Sequence, residues 1–206
     1  MKSQKSRSYI AIIFVIIFVG SSYYYDHISR SHIYAQERKF QLETKDVLII
    51  IARPLNKDNG GFYLPNVDLR NVNLVGVDFS YAILSYSDLS GALLRNANLS
   101  HASLEEAYLT GARFINANLT YAWFVSSNLE NIIITYSNVE SANFEDCNLE
   151  NADFTGSSLV NANLRGANLK NVRFSGAIME GVTLPSGKVY EEGDDLVVLF
   201  GAYDNP

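Results

Sequence analysis

The chain has 206 residues, 48% of them apolar, and a net charge of −6. That much apolar surface excludes a chain that is disordered throughout, and no stretch rich in Lys and Arg indicates a nucleic-acid-binding arm. The single cysteine, Cys147, excludes an internal disulfide framework and any zinc site built from several cysteines.

Residues 1–25 are predicted to anchor the protein in a membrane. Three basic residues precede an uncharged stretch of 18 residues, Ser8 to Tyr25, which contains the apolar run Ile10–Val19. Tyrosines on both sides of the run suit the two interfaces of a bilayer. The stretch is close to the lower length limit for a span, so a cleaved signal peptide and a buried soluble helix remain alternatives.

The basic flank sets the predicted orientation of this segment. It favours the amino terminus in the cytoplasm, so an uncleaved anchor would make the protein single-pass. Everything after Tyr25 would then lie on the outer, periplasmic or extracytoplasmic side of the membrane. Cleavage would instead release the remainder as a secreted protein.

Residues 26–63 are predicted to form a juxtamembrane helix and an amino-terminal cap. The stretch SHIYAQERKFQLETKD indicates a short helix with Ser31 as its N-cap. The β-branched run Val47–Ala52 favours a strand, and NKDNGG marks a turn after it.

A five-residue period then dominates the sequence. A large apolar residue recurs at every fifth position from Leu69 to Leu184, giving 24 units, and a small residue stands two positions before each centre except at Ile132. Because five is odd, a flat strand would turn its apolar side over at every repeat. Asn and Gly, which favour turns, occupy many of the positions two residues after the centres. The chain is therefore predicted to turn a corner in each unit.

Four right-angled corners close a coil of 20 residues, and such coils can stack by parallel strand pairing. Twenty-four units predict about six coils and a column of about 29 Å, at ~4.8 Å per layer. The small residue and the centre face inward, and the residue between them faces outward.

The run ANLSHASLEEAYLTGARF and its neighbours resemble the A(D/N)LXX repeats of the pentapeptide-repeat family over residues 64–184. The resemblance implies an all-β solenoid, a right-handed quadrilateral parallel β-helix, to which residues 1–25 would add a hydrophobic helix. The run VTLPSGKVY resembles the turn with which many family members leave the last coil, so residues 185–206 are expected to form a carboxy-terminal cap and tail. Ile132 departs from the pattern and predicts an overpacked position, unless a local bend accommodates it.

A solenoid filled by its own side chains leaves only its walls and ends for function. Cys147 falls in an inward slot, which predicts a structural thiol. His27, His32 and His101 have no companion residues nearby in sequence that would make a catalytic or metal site. We therefore predict no enzyme activity, no catalytic or metal-binding residue and no cofactor.

Apolar side chains in outward slots are the stronger signal. A cluster that contains the only tryptophan of the chain indicates contact with a partner. Packing against the protein's own amino-terminal segment or a second copy, and incidental exposure, remain alternatives. The predicted interaction surface consists of Leu93, Ile115 and Ile133 on one wall, Trp123 and Val125 on a second, and Tyr108 on a third.

Carboxylates are also grouped. Glu130 and Glu150 are expected one coil apart on one wall, and Glu145, Asp146 and Asp153 add charge around the following corners. Like charges at ~5 Å repel, which would favour a cation or a basic partner nearby. The alternative is a solvated acidic wall.

Together these features predict a non-enzymatic, membrane-anchored scaffold for protein–protein interaction, in a bacterial envelope as the resemblance implies. The partner is an unidentified protein, a homodimer is possible, and a nucleic-acid ligand is not expected. The resemblance also implies an alternative, because some family members mimic DNA in shape and charge and bind type II topoisomerases such as gyrase as dimers. The acidic repeat region allows this, whereas the predicted export and the outward apolar residues argue against it.

Overall fold

The computed structural model describes residues 61–191, which form a column of stacked coils. Outward residues pair in parallel with the residues 20 positions later, for example Tyr63 with Ile83 and Ile83 with Ser103. This spacing gives four five-residue units per coil, as the period predicts, and confirms the all-β solenoid. The predicted amino-terminal helix, the strand at Val47–Ala52 and the tail beyond residue 191 lie outside the described residues. No helix within residues 61–191 is long and apolar enough to cross a membrane.

The four walls are named here A to D in chain order, so that A lies opposite C and B lies opposite D. Their outward columns are Asp68, Asp88, Tyr108, Asn128, Asn148 and Asn168 on wall A; Asn73, Leu93, Arg113, Ile133, Asp153 and Arg173 on wall B; Asp78, Asn98, Asn118, Asn138, Ser158 and Ile178 on wall C; and Tyr63, Ile83, Ser103, Trp123, Asn143, Asn163 and Thr183 on wall D.

Each corner depends on one residue with a positive φ. From Asn66 to Gly181 all 24 corner residues have φ between 53° and 69°, and 15 of them are Asn or Gly. These two residue types adopt that conformation at the lowest cost, which is why the turn of the repeat selects them. A backbone bond closes most corners, as from the Val72 N–H to the Leu69 carbonyl at 3.2 Å.

Where an outward slot holds Asn or Asp, its side chain also bonds to the backbone. The Asn138 Oδ1 accepts the N–H of Glu140 at 3.0 Å, and the Asp88 Oδ1 accepts the N–H of Ser90 at 2.9 Å. Such Asx turns satisfy a corner N–H that has no ladder partner. Amides in neighbouring coils bond to each other as well, as the Asn163 Nδ2 does to the Asn143 Oδ1 at 2.9 Å.

The interior is filled by the repeating apolar centres. Phe124 and Phe144 stack with centroids 4.9 Å apart, and Phe154 meets Phe144 edge-on at 5.8 Å. Ile132, predicted to be overpacked, is fully buried. It lies on wall B next to the two regular strands, β1 (Arg113–Ile115) and β2 (Ile133–Thr135), which pair in parallel.

Two buried serines bridge the corners that follow β1 and β2. The Ser137 hydroxyl donates to the Phe114 carbonyl at 2.9 Å and accepts the Ala117 N–H at 3.0 Å, taking the place of the direct bond across that corner. Ser157 does the same between the Ile134 carbonyl and the Ser137 N–H, at 2.7 and 3.0 Å. Both corners that follow a strand on wall B are thus closed through a serine hydroxyl.

The chain folds back after the last coil. Val189 pairs antiparallel with Thr183, the Leu184 N–H donates to the Lys188 carbonyl at 2.7 Å, and the Tyr190 N–H donates to the Val182 carbonyl at 2.7 Å. Within the described residues, the last coil has no further coil to pair with its backbone groups, and these bonds satisfy some of those groups instead.

Candidate interaction face

Three exposed tyrosines occupy corners along the two edges of wall D. Tyr81 and Tyr121 lie on one edge and Tyr86 on the other, with φ of 57°, 58° and 63°. A bulky residue with positive φ is uncommon and unfavourable. Since Asn or Gly would fit these corners better, backbone geometry does not account for the tyrosines.

The corner tyrosines continue the outward apolar side chains of wall D. We call this set the aromatic face, and it spans four successive coils, about 14 Å at ~4.8 Å per coil. Val125, also on wall D, is partly buried beside it. The members and their exposed fractions are Tyr63 49%, Tyr81 43%, Ile83 41%, Tyr86 52%, Tyr121 46% and Trp123 50%.

Ring contacts hold much of the aromatic face in place. The His101 ring lies between Tyr81 and Tyr121, with centroids 4.7 and 4.9 Å away and planes within 9° of parallel. The Tyr86 hydroxyl donates to a Glu106 oxygen at 3.2 Å, and the charge of this carboxylate raises the pKa of Tyr86. Rings that are already ordered lose little conformational entropy when a partner binds.

The aromatic face also lacks the bonds between side-chain oxygens and backbone N–H groups that asparagines make further along wall D. Asn143 and Asn163 accept the N–H two residues on, at 3.0 Å each. Ile83 and Trp123 stand in the same column but have no oxygen to accept such a bond, which is worth about 1 kcal/mol. The amino-terminal half of wall D therefore departs from the repeat pattern in both its corners and its outward slots.

The six predicted surface residues lie on three walls. Leu93 is exposed on wall B, where Ile115 and Ile133 are partly buried, and Tyr108 is 57% exposed on wall A. Only Trp123 and Val125 of the six belong to wall D. The sequence reasoning missed the corner tyrosines and the stacking of His101, although a tyrosine where the pattern has Asn or Gly was a usable signal.

The five predicted acidic residues are also spread out. Glu130 and Glu150 share wall A, Glu145 lies on wall D with Asp146 at its corner, and Asp153 lies on wall B. Among residues 61–191 no group of His, Cys, Asp and Glu could hold a metal ion.

Two of these carboxylates have cationic partners. Glu150 pairs with Lys170 at 2.6 Å, and this hydrogen bond lowers the pKa of Glu150. Burial raises the pKa of Asp153, but bonds from Thr155 and from Arg173, at 2.6 Å, outweigh it and leave this pKa lowered.

Cys147 occupies an inward slot like those of the buried serines. Its thiol donates to the Phe124 carbonyl at 2.8 Å, and burial raises its pKa to about 12. Since a thiol reacts as its thiolate, Cys147 is an inert packing residue in the folded protein.

We expect Cys147→Ser to keep the fold and to change the pH dependence of stability. An unfolded thiol ionises near pH 9 and the folded one does not, so wild-type stability falls as pH rises above 9. The serine variant lacks this loss. Its free energy of unfolding, relative to that of the wild type, should therefore rise by about 2 kcal/mol when the pH is raised from 8 to 10.5. Urea unfolding at both pH values measures the difference. The same change in unfolding free energy with pH for the two proteins would contradict the prediction.

Comparison with known protein families matches the description "Pentapeptide repeats", in 8 copies, at residues 63–96, 92–131, 112–151 and 147–184. These ranges cover more than half of the chain. The protein belongs to the pentapeptide-repeat family. A search among curated proteins gives no match.

Solved structures of other pentapeptide-repeat proteins are similar to part of the chain. Rfr23 from the cyanobacterium Cyanothece 51142 is 27% identical, with 63% of this chain and 91% of that chain covered and a TM-score of 0.33. QnrB1, a plasmid-mediated fluoroquinolone resistance protein, is 20% identical over 60% of this chain and 71% of that chain, with a TM-score of 0.36. HetL from the cyanobacterium Nostoc, involved in regulating heterocyst differentiation, is 22% identical over 63% and 90%, with a TM-score of 0.23.

Proposed function

We propose that this pentapeptide-repeat protein is a non-enzymatic scaffold that is tethered to a membrane by residues 1–25 and binds a protein partner through the aromatic face. The single observation that carries the proposal is that three of four successive coils of wall D hold exposed Tyr or Trp rings where the repeat pattern has Asn, Asp or Gly. A stable solenoid has no need of those rings.

The chemistry of the aromatic face suits a protein partner. Tyr and Trp are enriched at binding hot spots because they bury a large apolar area while keeping a polar group for hydrogen bonding. Ser103, Glu105 and Glu106 lie among the rings and supply polar groups. A partner with an apolar anchor and a basic rim would match this composition.

Charge argues against the topoisomerase alternative. Wall B carries Arg95, Arg113 and Arg173 against a single carboxylate, Asp153, so the acidic surface of the column is interrupted on one wall, unlike the uniform negative charge of DNA. We therefore favour an envelope scaffold over a DNA mimic.

A photo-crosslinking residue at Tyr121 of the full chain should test the proposal. The protein is expected to stay in the membrane fraction after a carbonate wash, because a spanning segment resists it. Irradiated membranes should then yield one discrete adduct with another protein.

Asn138 of wall C is the matched control position, because it is exposed and keeps the repeat pattern. A crosslinker there should give no such adduct. Release of the protein by carbonate would refute the tether, and the same adduct from both positions would refute the aromatic face as the binding surface.

A further inference from the structure

Wall B differs in charge from the rest of the solenoid. It carries three arginines against one carboxylate, whereas the remainder of residues 61–191 has four Lys or Arg against 12 Asp or Glu. Arg173 is paired with Asp153 at 2.6 Å. Arg95 and Arg113 are exposed, and neither has a carboxylate partner within residues 61–191. Wall B is thus the one basic wall of an acidic column.

Aliphatic side chains surround the two arginines. Arg113 lies between Leu93 and Ile133 in the outward column of wall B. Leu93 is 39% exposed, and Val75 on the same wall is 40% exposed. Tyr136, at the corner where wall B ends, is the most exposed of the large apolar side chains within residues 61–191, at 66%. The result is a flat surface that mixes guanidinium groups with apolar chains.

We propose that wall B lies against an anionic membrane surface. Amphipathic helices that combine Lys or Arg with Trp, Phe or Leu lie at the boundary between lipid headgroups and acyl chains, and wall B presents a similar mixture of side chains. Arg matches phosphate groups with paired hydrogen bonds, and its aliphatic stem can lie along the apolar boundary while the charge stays in the headgroups. The other walls are acidic and would be repelled by the negative charge of such lipids.

The tether makes this weak contact effective. Two arginines and a few aliphatic side chains would bind lipid only weakly on their own, but an anchored solenoid is held at high local concentration beside the bilayer. The inference therefore rests on the proposed anchor in residues 1–25. Because wall D is opposite wall B, this orientation would present the aromatic face away from the membrane, where a protein partner can reach it.

The native tryptophan allows a direct test with the full chain. Wild-type protein has its only tryptophan, Trp123, on wall D, and the double variant Trp123→Asn/Leu93→Trp moves that reporter to wall B. Both proteins are reconstituted into vesicles of phosphatidylcholine with about 30% phosphatidylglycerol, with brominated acyl chains as the quencher. We expect at least roughly twofold quenching of the wall B tryptophan and little quenching of Trp123.

Two controls assign the effect to charge. Adding Arg95→Gln and Arg113→Gln to the double variant, or using phosphatidylcholine alone, should abolish most of the quenching. Circular dichroism checks that each variant keeps the β-solenoid. Quenching that is equal for both walls, or that is unchanged without the arginines, would overturn the proposal.

The outcomes also separate this inference from the proposed function. Protein that floats with the vesicles but shows no quenching of the wall B tryptophan retains the anchor and refutes the wall B contact. Protein that does not float refutes both. A spectral shift with soluble polyglutamate, without quenching by brominated lipid, would assign wall B to an acidic protein instead and refute the membrane contact.

Discussion

Phe144→Ala should lower the free energy of unfolding by about 3–5 kcal/mol, the usual range for removing a buried phenylalanine. Phe144 is fully buried and stacks on Phe124 at 4.9 Å, while Phe154 meets its edge at 5.8 Å. Its loss would leave a cavity between coils whose backbones are fixed by the inter-coil ladder, so the space could not close easily. In a solenoid each coil contacts only its neighbours. Destabilising a central coil therefore also reduces the cooperativity of unfolding between the two halves of the column.

Urea unfolding followed by circular dichroism measures this loss, and Phe174→Ala is the matched control. Phe174 stacks on Phe154 at 5.6 Å but lies in the last coil and is only partly buried. Its removal leaves a shallower void, so we expect less than half the effect of Phe144→Ala. Equal losses for the two variants would show that burial in the central coils does not dominate stability.

Trp123→Asn should separate binding from stability. Loss of a central tryptophan from an interface typically weakens affinity by at least ~30-fold, about 2 kcal/mol. The same change restores the repeat pattern, because an asparagine there could accept the Val125 N–H and pair with the Asn143 amide one coil on. We therefore expect an unchanged or higher melting temperature together with loss of the partner.

Ile178→Asn provides the matched control for that variant. Ile178 is 56% exposed in an outward slot of wall C, so the substitution also replaces an exposed apolar side chain by Asn, but away from the aromatic face. Thermal unfolding and partner capture from membranes should show similar stability for both variants but loss of the partner only for Trp123→Asn. Capture that survives Trp123→Asn, or that is lost equally in both, would exclude the aromatic face as the binding surface.

Most of the solenoid was predictable because its information is local and repeated. An odd period forces a corner in each unit, and the number of corners that closes a coil places residues 20 apart in contact. The same count assigns Leu93, Tyr108 and Trp123 to three different walls. The pairing of Glu150 with Lys170, one coil apart, is a consequence of the same spacing.

Other features depend on the directions of particular side chains, which the five-residue period does not predict. His101 read as an isolated corner residue, yet its ring lies between Tyr81 and Tyr121 because all three corners share the same positive φ and stack in one column. Ser137 and Ser157 read as small inward residues, yet their hydroxyls bridge the corners of the preceding coil.

The sequence by itself determined the coil length, the inward and outward slots and the wall of every repeat residue, because each follows from counting in fives. Only the tertiary structure decided which exposed residues act together. Corner tyrosines and outward side chains meet at the aromatic face, and on wall B Arg95 and Arg113 have no carboxylate partner within residues 61–191. These groupings depend on distances across corners and between coils, which side-chain directions set and the repeat pattern does not.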